Sequence, residues 1–191
     1  MRYSLQSMNE IDLFVRLTAA LAKSAIPYML TGSFASSFHG VPRASNDVDI
    51  VIAPTEEQLS ELKDILSDGE YYFDLDDALD ALRRRRQFNV IDLETGWKID
   101  FIIRKSRPFS LTEFERRSQV HFEGLQLYIA QPEDIIVAKL EWAKRASSER
   151  QIEDVVGILR VQSKDLDYSY IEKWVQELDL QEQWDQARID S

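Results

Sequence analysis

The chain contains no cysteine. Disulfides, thiolate metal sites and cysteine nucleophiles are excluded together, and the absence fits a reducing cytoplasm. The two histidines, His39 and His121, stand apart with no zinc-ligand spacing. His39 is expected to serve loop structure. No stretch approaches the roughly 20 apolar residues of a membrane span. The opening MRYSLQSMNEIDLF lacks the basic start and apolar run of a secretory signal. There is no internal repeat and no low-complexity linker. Basic residues are outnumbered: 23 Lys and Arg against 34 Asp and Glu leave a net charge of −11. That balance argues against a general coat of nucleic acid, and it leaves metals and local basic sites open.

What is present is enough for a core. At 191 residues, 44% hydrophobic and 30% charged with both signs, the chain reads as one domain or one domain with an appendage. The charge is uneven. Residues 83–117 carry ten basic and five acidic residues, a local +5; residues 161–191 carry three basic and eight acidic, a local −5. The middle segment is the part suited to meet an anion.

Residues 9–24 predict an amphipathic helix on Ile11, Phe14, Val15, Leu21 and Ala22, with Thr18 the polar member of the stripe. Tyr28–Leu30 predicts a strand, residues 33–39 a short helix closed by Gly40, and Val48–Ile52 a second strand stopped by Pro54. Thr55 with Gln58 three residues on is a capping-box start for a helix running to about Ser67. A helix over 76–86 ends in four arginines. Two strands, 88–93 and 97–103, are joined by a turn at Thr95-Gly96, and Leu125–Ala130 is the last strand. After Pro132 the pattern is helical: from Pro132 onward, then 148–161, 168–178 and 180–188. A soft boundary therefore falls between a mixed α/β region, 1–131, and a helical C-terminal region, 132–191.

Three acids stand out by position. Asp47 and Asp49, two residues apart entering a strand, point to one face, roughly 6–7 Å apart. Asp100 sits between Ile99 and Phe101 on another strand. Three carboxylates on adjoining strands repel unless a cation lies between them. Oxygen-only ligands favour a hard ion such as Mg²⁺. The plainer reading is that Asp-x-Asp caps a turn and Asp100 faces solvent. Gly32-Ser33 adds to the first reading: it follows an apolar strand and opens a helix, where backbone N–H groups and a hydroxyl can hold phosphate. Thirteen residues then separate it from Asp-x-Asp.

In this order of motifs the chain resembles the nucleotidyltransferase superfamily of the DNA polymerase β type. The resemblance lies in LTGSFASSFHGVPRASNDVDIVI and KIDFII. Within that superfamily it is similar to the small AbiEii-type nucleotidyltransferases, which include toxin components of toxin–antitoxin systems. His39-Gly40-Val41-Pro42-Arg43 is similar to their stretch before the two acids, and PEDIIVAKLEWAKRASSERQIEDVVGILR to their paired helices. The resemblance covers roughly residues 25–160. It implies an α/β (α+β) fold, a mixed sheet flanked by helices, with a small helical C-terminal region. It implies that Asp47, Asp49 and Asp100 bind Mg²⁺ and a nucleoside triphosphate, with Asp100 also helping to deprotonate the acceptor. Gly32 and Ser33 would hold the triphosphate, Lys139 would contact its phosphates, and Arg43 would bind phosphate or anchor a loop carboxylate. Gly-Ser stands where many members have Gly-Gly. No long acceptor-binding region follows, so the acceptor hydroxyl, on an RNA end, a protein or a small molecule, is unassigned.

Other residues have competing uses. Lys139 on an apolar helix face reads as a site residue or as a snorkelling lysine. Asp154 reads as a partner for a basic neighbour. Of Arg83, Arg84, Arg85 and Arg86, at least two are expected to complement the helix end and the acids of residues 74–80. Trp97, Trp142, Trp174 and Trp184 are expected to pack. The function expected is Mg²⁺-dependent nucleotidyl transfer by a cytoplasmic, non-membrane protein, and the resemblance implies a partner protein in a toxin–antitoxin pair. A non-catalytic module of the same fold, acting as antitoxin or regulatory partner, is the alternative from another class; a plain interaction domain requires the motif order to be coincidence.

Overall fold

The computed structural model describes residues 5–45, 47–66 and 69–191, with side chains from Ile11 onward. Asn46 and the expected helix end at Ser67 lie outside the described residues. The order is α1 (Leu5–Lys23), β1 (Tyr28–Leu30), α2 (Gly32–His39), β2 (Asp47–Ile52), α3 (Glu56–Ile65), β3 (Tyr71–Phe73), α4 (Leu75–Arg84), β4 (Gln87–Asp92), β5 (Lys98–Ile103), α5 (Pro108–Arg116), β6 (Ser118–Phe122), β7 (Leu125–Ile129), α6 (Pro132–Ala146), α7 (Glu149–Gln162), α8 (Tyr168–Glu177) and α9 (Gln181–Asp190). The strands form one mixed sheet in the order β3-β4-β5-β2-β1-β7-β6. No helix among the described residues is long and apolar enough to cross a membrane.

Strand alternation decides what each face does. β2 and β5 are parallel neighbours, with Ile50 opposite Phe101 and Asp49 opposite Asp100. Val48, Ile50, Ile52, Ile99, Phe101 and Ile103 are buried on one face, where the rings of Phe73, Phe88 and Phe101 stack in turn. The other face carries the carboxylates.

Helix starts follow their sequence signals. Thr55 and Gln58 form the reciprocal capping box of α3, Asp74 caps α4 by accepting from Asp77 N, and Pro132 occupies the first turn of α6. Glu133 and Asp134 do more than complement that helix end, because Arg116 bonds both at 3.0 Å.

Several expectations need correction. The buried stripe of α1 is Leu13, Phe14, Leu17, Ala20 and Leu21, while Val15 and Ala22 are exposed. It is turned by about one residue, some 100°, from the expected stripe, because Leu13 and Leu17 offer more apolar area than Val15 and Thr18. β3, α5 and β6 were not expected. β3 has three residues, too few for a periodic signal. α5 carries a readable one, Pro108 in its first turn. β6 reaches β7 through Glu123 and Gly124, both at positive φ, the signature of a two-residue hairpin loop. His39 is not in a loop. It ends α2, buried, and its Nε2 meets Ala130 O at 2.8 Å.

Candidate active site

Asp49 and Asp100 face each other across the β2–β5 ladder, and Asp47 pairs in register with Lys98 on the same side. The three acids thus share one face, as alternation predicts. Their environments differ. Asp47 is exposed at the rim. Asp49 is half-buried; burial, then Asp100, raises its carboxyl above the ordinary range, against pulls from Lys139 and the Ser33 N–H. Asp100 is buried, so it does not face solvent. Lys98 Nζ bonds its Oδ2 at 2.8 Å, and its Oδ1 has no hydrogen-bond partner among the described residues.

Gly32 opens α2 directly above Asp49. Its φ is +61°, and a Cβ there would lie 1.9 Å from Asp49 Oδ2. Thr31 N donates to Asp49 O at 3.0 Å, extending the strand contact into the helix start. The N-terminus of α2 therefore rests on a carboxylate.

Asp49 and Asp100 line one end of a cleft of about 660 Å³, together with Thr31, Gly32 and Ser33, whereas Asp47 and Lys98 lie outside its lining. α6 forms the opposite wall through Lys139 and Trp142. Lys139 does not snorkel: it is buried, and Nζ bonds Asp154 Oδ2 at 2.7 Å. Arg43 holds the same carboxylate in a fork, Nε to Oδ1 at 2.6 Å and Nη2 to Oδ2 at 2.9 Å. Asp154 is thus the partner of two cations, and Arg43 anchors that carboxylate from beside the cleft. Burial opposes ionisation of Asp154, yet the bonds from Arg43 and Lys139 hold its carboxyl below the usual aspartate value.

The arginine run divides as its helical geometry requires. Arg83 and Arg84 reach Asp80, whereas Arg85 and Arg86 line the cleft. Trp97, Trp174 and Trp184 are buried, but Trp142 is 53% exposed, so the expectation that it packs is corrected. Sequence reading missed Lys105, Arg107, Glu113 and Glu141, which line the far end of the cleft. Arg107 forks onto Glu141, with Nη1 to Oε1 at 2.6 Å.

The donor set can be tested against a metal ion. An unpartnered buried carboxylate oxygen beside a second, raised carboxyl is an arrangement suited to a cation. All the donors are oxygens, as Mg²⁺ requires. The side chains fit such an ion in kind. Among the described residues no three acidic or histidine side chains are grouped so as to hold a metal ion, and Lys98 supplies positive charge to Asp100.

Neither protein-family models nor curated proteins match the chain. Solved structures do. The solution structure of the antibiotic-resistance factor ANT(2'')-Ia is similar over 90% of this chain and 92% of that one, at 15% identity and a TM-score of 0.61. The crystal structure of ANT(2'')-Ia in complex with adenylyl-2''-tobramycin is similar over 92% and 99%, at 16% identity and a TM-score of 0.59. An antigenic nucleotidyltransferase-like protein from Paracoccidioides brasiliensis is similar over 92% of both chains, at 17% identity and a TM-score of 0.55. At these identities the likeness is one of fold: a nucleotidyltransferase-like mixed sheet flanked by helices.

Proposed function

We propose that this nucleotidyltransferase-like fold carries the corresponding chemistry, transfer of a nucleoside monophosphate from a triphosphate to a hydroxyl. The observation that supports it most is the pairing of Asp49 with Asp100 across adjacent parallel strands, in a cleft that begins at Gly32-Ser33. The acceptor oxygen bonds the α-phosphorus, the α–β phosphoanhydride bond breaks, and pyrophosphate leaves. Asp47, Asp49 and Asp100 are the residues that would hold Mg²⁺, whose charge would neutralise the phosphates and the leaving oxygen. The open oxygen of Asp100, Oδ1, takes the acceptor's proton. Ser33 and the start of α2 receive the terminal phosphates, and Lys139, fixed by Asp154, supplies charge from the opposite wall. Positioning and electrostatics do most of the work in such a transfer.

Incubation with each labelled triphosphate, Mg²⁺ and total RNA or lysate tests this. Label should pass to an acceptor with the native chain, and Asp47→Asn and Asp100→Asn should each reduce transfer by about a hundredfold or more. Absence of metal-dependent triphosphate binding by the native chain overturns the reading. The AbiEii-like motif order supports a cytoplasmic role in a toxin–antitoxin pair. Expression in a bacterial host should then arrest growth, and expression of Asp49→Asn should not.

A further inference from the structure

We propose that the far end of the cleft is an anion subsite in which Arg86 and Lys105 hold a phosphate of the acceptor, so that the acceptor is a phosphate-bearing hydroxyl compound. The inference rests on the transfer reading and names the substrate class of the same site.

The cleft continues past the carboxylates along the same sheet face. Val51 and Ile102, paired across β2 and β5, are the next residues on that face and give it an apolar floor. Beyond them Ile103 N donates to Arg86 O at 3.0 Å, which sets Arg86 at the end of β5, and Lys105 follows two residues later. At about 3.3 Å per strand residue, this end lies on the order of 10 Å from Asp100.

Its charges do not balance. Glu141 is already shared by Arg107 and Arg145. Lys139 belongs to Asp154. Glu113, the other acid at this end, offers no compensating charge at neutral pH, because burial and then Asp134 push its carboxyl up to about 8. Arg85, Arg86 and Lys105 are left without a carboxylate partner among the described residues, but Arg85 is tied back to the chain, its Nη1 donating to Arg104 O at 2.9 Å. Lys105 is partly buried; burial, then Arg107 and Arg145, pulls its ammonium below the ordinary lysine value, against smaller opposing pulls from Glu141 and Glu113. A half-desolvated lysine crowded by two guanidiniums is a group short of an anion.

Sheet order identifies the source of that anion. The start of α2 follows β1, on one side of β2, and β5 and β4 lie on the other. In an in-line displacement the attacking and leaving oxygens sit on opposite sides of the phosphorus. Pyrophosphate departing at Gly32-Ser33 therefore places the attacking hydroxyl over β5 and β4. The anion at Arg86 and Lys105 then belongs to the acceptor. That phosphate is a handle and takes no part in bond changes.

Calorimetry with Mg²⁺ and α,β-methylene-ATP comes first, on the native chain and on Arg86→Gln and Lys105→Gln. These side chains are exposed or partly exposed, and thermal melts monitor folding. Affinity for the nucleotide should stay within about twofold. An RNA oligonucleotide with a free 3′-hydroxyl and ribose 5-phosphate are then titrated separately onto the nucleotide complex, and the one that binds identifies the source. Each substitution should weaken that binding about tenfold, the loss of one charge-assisted phosphate contact, and kinetics should show it as a raised acceptor KM. The subsite is refuted if neither phosphate compound binds, if the variants bind as the native chain does, or if an aminoglycoside polycation binds in their place. It is also refuted if the variants lose nucleotide affinity, since the anion is then the triphosphate. Failure of the native chain to bind nucleotide overturns the transfer reading itself, and the subsite with it.

Discussion

At Gly32 an added Cβ would meet Asp49 Oδ2 at 1.9 Å and Cγ at 2.6 Å, on a backbone with φ of +61°. The left-handed backbone alone costs a β-carbon about 1–2 kcal/mol, so Gly32→Ala should lower stability by about 2 kcal/mol or more and displace Asp49. Urea denaturation measures the loss. Asp49→Ala removes the two closest atoms, so the double variant should lose less than the sum of the single variants. Glu113 gives the opposite sign. Its folded-state value of about 8 exceeds the ordinary 4.5, so the folded chain holds the extra proton between those values. Stability is full below about 4.5, declines as pH rises through the window, and the penalty is complete above about 8. Glu113→Gln should therefore stabilise the protein at pH 7, by on the order of 2–3 kcal/mol, and flatten the dependence of Tm on pH. The two positions differ in what reveals them. Gly32 and the three acids follow from local order and strand alternation. Glu113 and Lys105 matter because Asp134 and Glu141 arrive from α6, and no local pattern records that.

Between elements, α2 and α7 approach so closely that a Cβ at Gly40 would lie 2.7 Å from Ile158 N and 2.8 Å from Gly157 C. Those are backbone atoms and cannot swing aside, so Gly40→Ala should force the helices apart and lower Tm by several degrees. The same crossing is tied by charge. Arg43 follows α2, Lys139 lies on α6 and Asp154 on α7, and one carboxylate joins them. Asp154→Asn leaves two cations partly buried without compensation, a loss of about 3–5 kcal/mol by the usual magnitude for a broken buried pair. The sign with pH is that of a depressed acid: the contribution is present above the ordinary value of 3.8 and is lost as pH falls through the lower folded value. Native stability should fall steeply below about pH 4, and the variant should lack that part of the slope, which melts at stepped pH resolve. The start of α3 and the bounds of the last three helices were legible in sequence to within a residue or two, whereas α1 begins four residues before its expected start. β3 was not legible, since three residues in a sheet edge are held by pairing with β4, a contact made across the chain.

Across the whole molecule, the change from mixed to purely helical pattern after residue 131 invites a division into two parts, but burial does not respect it. One buried cluster takes residues from both sides, with Leu30, Leu127 and Ile129 before the boundary and Ile135, Ile136, Val137 and Leu140 after it. Further ties cross the boundary: Arg116 to Glu133 and Asp134, and Phe109 to Trp174, with ring centroids 5.2 Å apart. The acidic balance is also divided by place: the basic residues of 83–117 include Arg85, Arg86, Lys105 and Arg107 of the cleft lining, while the −5 of residues 161–191 sits on α8, α9 and their connections. Burying an Ile, Val or Leu contributes about 1.5–3 kcal/mol, so the four α6 residues alone supply about 6 kcal/mol or more, against a total stability of about 5–15 kcal/mol for a typical domain. A fragment of residues 1–131 loses that cover from the sheet face bearing Asp49 and Asp100. It should give a poorly dispersed amide spectrum and no cooperative melt, whereas the full chain should unfold in a single transition. A well-dispersed fragment spectrum would instead make residues 1–131 a folding unit in its own right, with Lys139 and Trp142 supplied to its cleft by a separate body.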